Sequence, residues 1–357
     1  MNSTLSSFRK LLKPLLALCC AGLFATCSPT YVIRGAIAEA KILHRRRPIS
    51  EVLADPATDA ATRAKLQIVV QARSFARDQL GLNAKESYTT YSWVDHDTLL
   101  MVVSGARKDK FVPYLWWFPI VGSVPYKGYF NFAKAYDEAQ KLEAKGYDSN
   151  VRPSGAFSTL GWFNDPLLNT ILKYGDVGLA ETVVHEITHN SIYLPGQAAF
   201  NESFANFVGD RGAAVFFCTR EGQQDQRCKT ALAAWQDNIV FGTALTDLVR
   251  RLEAIYNRPN LTFAEKVAQR DTVFHNWAAN YKSNVVPQLR TGFRRYADEP
   301  LNNARLIGTR LYYQHLDLFQ QVFERYNGDL RASVAAIIAA AKRKPDSPFV
   351  AVQELVR

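Results

Sequence analysis

The spacing of apolar residues divides the chain into a short helical start, a strand-rich middle and a long helical second half. Residues 50–81 carry Ala and Leu at helical intervals, with a break at Asp55-Pro56, and they predict helices. After Pro166 the helical period returns and continues nearly to the end of the chain. The helices predicted in this second half cover residues 177–194, 199–218, 228–256, 262–282, 300–326 and 329–343.

Residues 82–165 have a different pattern. Short apolar and aromatic runs separated by Gly, Pro and charged turns are typical of strands, and they cover 87–94, 98–103, 114–124 and 151–160. One helix is predicted among them, over 132–145. Strands followed by helices favour an α+β fold, with a small mixed sheet in the N-terminal half and a mainly helical part over 166–345. No long linker interrupts residues 27–357, so we expect a single domain.

The first 26 residues have the build of a secretory signal peptide. Arg9, Lys10 and Lys13 precede an apolar stretch over 15–24, which is too short to cross a bilayer as a lone helix, since that takes about 20 residues. Ala25-Thr26-Cys27-Ser28 follows and resembles the processing site of a bacterial lipoprotein, in which the cysteine is lipidated. We therefore expect an exported protein of the bacterial cell envelope, anchored to a membrane through Cys27 and facing the periplasm. An ordinary cleaved signal, or an uncleaved anchor, is the alternative.

Composition is that of a folded chain. Its 357 residues, 48% of them apolar, can bury a full core, and 21% charged residues argue against disorder. The formal net charge of +10 raises the question of nucleic-acid binding. The Lys and Arg residues are scattered, however, and the tightest cluster is Arg45-Arg46-Arg47. A basic balance without a patch is typical of an ordinary surface, so we expect no nucleic-acid partner.

Two of the five cysteines form a candidate disulfide. If Cys19 and Cys20 are removed with the signal and Cys27 is acylated, only Cys218 and Cys228 remain. They lie ten positions apart around a polar loop, and an even pair in an oxidising compartment can be bonded. Two free thiols are the alternative.

The motif H-E-x-x-H occurs at His185, Glu186 and His189. Residues four apart lie on one face of a helix, so both imidazoles can reach the same ion. Glu186, next to the first histidine, can reach an attacking water as a general base. The alternative is a pair of core histidines, but such polar side chains are costly to bury without a metal. The motif therefore suggests a metal site, and together with a third ligand it predicts a single Zn²⁺ ion, although other divalent metals use the same ligand types.

A third ligand is expected from the next predicted helix. Pro195-Gly196 ends the first helix, and Glu202 lies thirteen residues past His189, just inside the second. A tight reversal between antiparallel helices can return Glu202 to the two histidines. Two histidines and one carboxylate leave a fourth position open, as in catalytic zinc sites.

Other residues are candidates for supporting roles. A donor should stabilise the oxyanion of the tetrahedral intermediate, and the sequence offers Tyr312, Tyr313 and His315, each of which could equally pack in the core. Asn206 and Asp210 follow Glu202 by one and two helical turns and are candidates for orienting the ligands.

Beyond the motif, the sequence resembles a bacterial family of predicted aminopeptidases, lipoprotein-like zinc proteins of the gluzincin type. The resemblance runs from Cys27 to about Leu330. The matching stretches cover residues 47–49, 117–122, 126–130, 157–163, 184–189, 199–205 and 301–306. It implies a zincin-like fold, a peptide or protein substrate, His185, His189 and Glu202 as zinc ligands, and Glu186 as the base. It also favours Tyr312 over Tyr313 and His315.

Cleavage at a free N terminus requires an anionic group that holds the substrate's ammonium. The Gly-x-Met-Glu-Asn loop of the best-known zinc aminopeptidases is absent, and Asp165 or Glu181 could take its place. Residues 151–160 are a candidate edge strand on which a peptide lies by strand addition.

Two other functions compete with a zinc peptidase. One is a different zinc amidase, acting for example on cell-wall peptides. The other is a catalytically idle envelope lipoprotein that serves as an interaction module. An intact Glu186 weighs against the module, because a scaffold needs no general base.

Overall fold

A computed structural model describes residues 40–95, 98, 100–118, 122–154 and 166–357. The predicted signal peptide, Cys27, Asp165 and part of the predicted strand 151–160 lie outside the described residues. The strands, in chain order, are β1 (Arg47–Pro48), β2 (Thr90–Ser92), β3 (Leu100–Arg107), β4 (Trp116–Phe118), β5 (Gly122–Val124), β6 (Tyr126–Tyr129), β7 (Tyr147–Ser154) and β8 (Leu167–Leu168). The α-helices are α1 (Ile49–Ala54), α2 (Ala60–Asp78), α3 (Phe132–Ala144), α4 (Asp176–Ser191), α5 (Ala198–Glu221), α6 (Gln226–Tyr256), α7 (Phe263–Asn280), α8 (Asn303–Arg310), α9 (Leu316–Arg325), α10 (Leu330–Arg343) and α11 (Pro348–Gln353).

The chain is a mixed helix and sheet protein, as the α+β prediction requires. β3 lies between β6 and β7 and pairs antiparallel with both. A second small sheet has β2 between β1, antiparallel, and β8, parallel. β4 and β5 form a hairpin. The sheets are short, and helices make up most of the second half.

Successive side chains of β6, β3 and β7 point to opposite faces of the sheet, because the strands are pleated. Met101, Val103 and Val151 face α3 and form one apolar cluster with it. Val102 pairs with Arg152 in the register of β3 and β7, so both side chains lie on the opposite face. Val102 packs there against Ile42, Leu100 and Leu168.

The main apolar core surrounds α4 and α5. Side chains of α2, α6, α9 and α10 pack against these two helices. Fully buried members include Leu66, Val184, Phe204, Phe207 and Phe319. Burying each such side chain contributes about 1.5–3 kcal/mol to folding. Because α5 is apolar around most of its circumference, it runs through the centre of the molecule.

A buried ion pair joins the sheet to the C-terminal helices. Arg270 of α7 donates to Asp148 of β7 at 3.0 Å, and both side chains are buried. The same carboxylate accepts the backbone N–H of Asn303, the first residue of α8, at 2.9 Å. Asn302 also donates to the carbonyl oxygen of Ser149. Helix α8 therefore begins against β7.

Several helices begin where a side chain accepts the first free backbone N–H groups, which stabilises each helix by about 1 kcal/mol. Thr262 and Glu265 form a capping box at the start of α7. The other capping residues are Asp59, Asn131, Asp225, Asn302 and Asp329.

The single helix predicted over 300–326 is wrong. α8 ends at Arg310 and α9 begins at Leu316, and His315 between them has a left-handed backbone with φ 53°. Ser203 of α5 accepts from the N–H of Gln314 and donates to the carbonyl of Leu311. These bonds take the place of helical hydrogen bonds, which the apolar period could not indicate.

Cys218 and Cys228 are joined in a disulfide, which connects the last turn of α5 to the first turn of α6. No helix among the described residues is long and apolar enough to cross a membrane.

Candidate metal centre

The helical hairpin of α4 and α5 positions the residues of the H-E-x-x-H motif. Asn201 accepts the backbone N–H of Leu194 at 3.0 Å and donates to its carbonyl oxygen at 2.9 Å. Gly196 has a φ of 78°, which L side chains rarely adopt. These features fix the reversal between the helices, so Glu202 returns to the two histidines of α4.

The two helices approach closely beside the first histidine. A Cβ atom on Gly209 would lie 3.0 Å from the carbonyl oxygen of Glu181 and 3.1 Å from the Cβ of His185. A Cβ on Gly212 would lie 3.0 Å from Cγ1 of Val184. The absence of side chains at these two glycines lets α5 lie directly against α4.

The structure brings together the donor atoms of His185, His189 and Glu202. The two Nε2 atoms are 3.2 Å apart, and Oε2 of Glu202 lies 3.5 Å from the first and 3.7 Å from the second. All three donor atoms lie within 4.8 Å of one another. Donors at about 2.0–2.2 Å from a tetrahedral zinc ion are roughly 3.3–3.6 Å apart. The set therefore fits one zinc ion with only small shifts of the side chains.

The electrostatics of the site also favour a cation. Burial lowers the pKa of His185, but its contact with Glu202 and the charges of Glu186 and Glu181 raise that pKa to about 9. Burial raises the pKa of Glu202, and the two histidines outweigh it, so the net pKa is lowered. Burial and the neighbouring His185 lower the pKa of His189. Several carboxylates thus surround two imidazoles, and a divalent ion would balance their charge.

Glu186 lies on the exposed side of α4, next to His185. Its charge raises the pKa of both His185 and Tyr312, so its carboxylate lies near the two rings on the open side of the site. Glu186 therefore remains the candidate for a general base.

Tyr312 lies beside His185. Its ring stacks on the His185 ring with centroids 6.2 Å apart. Burial, Glu202 and Glu186 raise the pKa of its phenol, so the O–H stays protonated at neutral pH. Asn206 donates to the carbonyl of Tyr312 at 3.1 Å. Asn206 therefore holds the backbone of the tyrosine segment.

The two other donor candidates point elsewhere. The Tyr313 ring packs against Phe241, and Asp210 and Glu181 contribute to raising the pKa of its phenol. The His315 ring packs on Phe349 with centroids 4.5 Å apart. Of the three candidates, Tyr312 alone stacks on a histidine of the motif.

A carboxylate pair lies behind His185. Oε1 of Glu181 is 3.9 Å from Nδ1 of His185, the ring nitrogen that faces away from Glu202. Burial raises the pKa of Glu181, and burial together with Glu181 raises the pKa of Asp210 well above its ordinary value. Asp210 also forms a hydrogen bond with Asn238. Glu181 therefore lies beside His185 on the side of the ring away from Glu202.

Two exposed residues of the sheet, Arg152 of β7 and Tyr126 of β6, interact electrostatically with Glu202. Tyr126 belongs to the stretch 126–130 that carries the family resemblance. The local sequence does not indicate that either residue interacts with Glu202, because this depends on how the sheet packs against helices far along the chain.

The fold and the site define an α+β protein with a candidate His-His-Glu metal centre on a helical hairpin. The chain belongs to the family described as putative aminopeptidase, which matches residues 30–347. This confirms the aminopeptidase family indicated by the sequence and supports a peptidase-like function. No curated protein and no solved structure matches the chain.

Proposed function

We propose that the protein is a zinc-dependent peptidase of the gluzincin type, with a zincin-like fold. The observation that carries the proposal is the convergence of the His185, His189 and Glu202 donor atoms at distances of 3.2, 3.5 and 3.7 Å. Family membership supplies the peptidase class. A bound zinc ion supplies Lewis acidity and lowers the pKa of water.

Glu186 acts as the general base. It takes a proton from the attacking water and passes it to the leaving amine. Glu186 is exposed, so its carboxylate can accept the proton of the water and then deliver it to the leaving amine.

Tyr312 donates its phenolic hydrogen to the oxyanion that forms from the scissile carbonyl. Its raised pKa keeps that hydrogen in place at neutral pH. Ser203 and Asn206 fix the backbone on either side of the tyrosine by hydrogen bonds from α5. The helix that carries Glu202 therefore also positions the donor, so the two groups keep their relative places.

The substrate is a peptide, and β7 is the element on which it would lie. Among the described strands, β7 pairs on one side only, with β3. A peptide can add to such an edge by main-chain hydrogen bonds. At Ser149 this edge is bonded to Asn302, so the proposed contact falls on the part of β7 after it, up to Ser154. Residues 155–160 of the strand expected over 151–160 lie outside the described residues.

The proposal includes a location in the bacterial cell envelope. It rests on the sequence Ala25-Thr26-Cys27-Ser28, which would place a lipid on Cys27 and hold the domain at a membrane facing the periplasm. The bonded pair Cys218–Cys228 is consistent with an oxidising compartment. Labelling of cells with a radioactive fatty acid, for the wild type and for Cys27→Ala, tests the anchor.

Metal content tests the core of the proposal. The full chain, purified in mild detergent, should contain nearly one zinc per molecule by mass spectrometry. Glu202→Gln should lose most of this zinc, whereas Glu253→Gln on α6, which removes the same charge from a half-exposed site, should retain it. A peptide library should be cleaved by the wild type and left intact by Glu186→Gln with its zinc in place. A folded chain that contains no zinc would exclude the metallopeptidase.

A further inference from the structure

The last helix, α11, contacts the tyrosine segment, residues 311–315. Phe349, near the start of α11, is half-buried against the main core. The centroid of its ring lies 4.5 Å from that of His315 and 5.3 Å from that of Phe200. His315 follows Tyr312 by three residues, and Phe200 precedes Glu202 by two on α5. One side chain of α11 therefore joins the tyrosine segment to the helix that carries the third candidate ligand.

The turn before α11 makes a second contact with the start of α5. Nε2 of Gln197, the residue before α5, donates to the carbonyl oxygen of Asp346 at 3.2 Å. Pro348 and Val352 of α11 are buried, so the helix is also anchored on the core. Residues 346–353 therefore have a fixed place beside the reversal between α4 and α5, and Phe349 projects from this place onto His315.

The tyrosine segment depends on its surroundings for its conformation. His315 has a φ of 53°, which is uncommon for a residue with a side chain and persists where neighbouring groups hold it. Ser203 accepts the N–H of Gln314 at 3.0 Å, and Asn206 donates to the carbonyl of Tyr312 at 3.1 Å. These hydrogen bonds from α5 hold the middle of the segment. The ring of Phe349 holds its end, at His315.

We propose that Phe349 is a positioning residue that acts on Tyr312 through His315. The contact keeps the ring of Tyr312 stacked on the ring of His185, with the centroids 6.2 Å apart. The inference rests on the proposed peptidase function, in which Tyr312 donates to the oxyanion. Such a donor is effective at about 2.7–3.1 Å from the oxyanion, so a small shift of the segment removes much of its effect.

The contact with Phe200 offers another route, through α5 to Glu202. The start of α5 is held by the hydrogen bonds of Asn201 to Leu194 and by the core around Phe204. The loss of one half-buried ring should therefore move α5 less than it moves the tyrosine segment. The two routes predict different results, because an effect on Glu202 weakens zinc binding and an effect on Tyr312 lowers kcat alone.

Hydrogen exchange tests the positioning without metal or substrate. The backbone N–H groups of residues 312–314 are hydrogen-bonded in the structure. In the full, metal-free chain, Phe349→Ala should raise their exchange rates about tenfold, as measured by mass spectrometry on a peptide that spans 311–316. Exchange in a peptide of α4 should stay as in the wild type. Unchanged exchange of residues 312–314 would overturn the inference.

A double-mutant cycle tests the role in the reaction. With zinc saturating, Phe349→Ala should lower kcat about tenfold at unchanged KM, because the oxyanion donor is displaced. In a chain that already carries Tyr312→Phe, the same change should leave kcat as it is, since the donor that it positions is gone. A fall in kcat by the same factor in both backgrounds would overturn the action through Tyr312.

A matched control and two further arms separate the alternatives. Phe323→Ala removes the same side chain from another half-buried position on the same core, where it packs under Arg211, and should change neither kcat nor the exchange of residues 312–314. If it reproduces the effects of Phe349→Ala, general loosening of the core explains them and the inference is overturned. Phe349→Leu keeps most of the apolar volume and should retain part of both effects of the native ring. Weaker zinc binding by Phe349→Ala would assign the contact to Glu202 and overturn the inference.

The failure of the inference can be told from the failure of the proposed function. If the wild type binds no zinc and cleaves no peptide, the peptidase proposal is overturned and the role of Phe349 in the reaction with it. If the wild type cleaves peptides with zinc and Tyr312→Phe lowers kcat, but Phe349→Ala changes neither kcat nor exchange, only the role of Phe349 is overturned.

Discussion

Replacing Gly209 with alanine should force α4 and α5 apart beside the candidate metal centre. The new Cβ would lie 3.0 Å from the carbonyl oxygen of Glu181 and 3.1 Å from the Cβ of His185. These are backbone or backbone-proximal atoms and cannot rotate away, so the helices must shift. Overpacking of this kind costs about 1–3 kcal/mol, and alanine in a helix interior returns about 0.5–1 kcal/mol relative to glycine. We expect the free energy of unfolding to fall by about 1 kcal/mol.

The helix α8 offers a control for the propensity gain. A Cβ on Gly308 would meet nothing within 4 Å, so Gly308→Ala should raise the free energy of unfolding by about 0.5–1 kcal/mol. The two variants should therefore differ by about 2 kcal/mol in urea unfolding of the metal-free chain.

Zinc affinity provides a second measurement on the same variants. Because the Cβ of His185 is one of the displaced atoms, Gly209→Ala should weaken zinc binding on the order of tenfold, the size of effect seen when the support of a metal ligand is disturbed. Competition with a chromophoric chelator measures this affinity. If Gly209→Ala proves as stable as Gly308→Ala and binds zinc with wild-type affinity, the close approach described for α4 and α5 is refuted.

Two further predictions concern Tyr312 and Asp237. Tyr312→Phe should lower kcat by a factor of about 10²–10³ at unchanged zinc content, because one hydrogen-bond donor to the oxyanion is lost. Steady-state kinetics that show an unchanged kcat would contradict this. Asp237 is buried, and its carboxylate accepts the backbone N–H groups of Arg290, Thr291 and Gly292. Burial raises the pKa of Asp237, but these hydrogen bonds outweigh burial, so the net pKa is lowered. A lowered pKa in the folded state gives stability that is present above the unfolded pKa of about 3.9 and lost below it. Asp237→Asn should therefore lower the free energy of unfolding by about 2–4 kcal/mol at pH 7. The free energies of unfolding of the variant and the wild type should converge as the pH falls below about 4. A constant gap down to pH 3 would argue against the role of Asp237.

The parts of the site that follow from local spacing could be predicted from the sequence. His185 and His189 lie four apart on one helix, and their convergence is set by helical geometry alone. Glu202 follows after a short reversal, so few arrangements of the two helices can separate it from them. The helix over 132–145 and the break at Asp55-Pro56 were predictable for the same reason, since each depends on a short stretch of chain.

The remaining parts depend on contacts between distant segments. Tyr312 reaches His185 because Ser203 and Asn206 bond the backbone around it, more than 100 residues away in the chain. Those bonds also end α8 early, and the apolar period continues across the break without a sign of it. Asp148 meets Arg270 and the start of α8 through the register of β7 and the packing of α8 on the sheet. Neither the register nor the packing is encoded in a local pattern.

Helix α8 links the sheet to the helical core. Its first residue is bonded to Asp148 of β7, and the residues after its last turn are bonded to α5. The separation of these two attachment points depends on the number of residues in α8. Each inserted or deleted residue would change the length of the helix by about 1.5 Å and turn its far end by about 100°. A change in the length of this one helix would therefore move the Tyr312 segment relative to the sheet, with every side chain of the candidate centre unchanged.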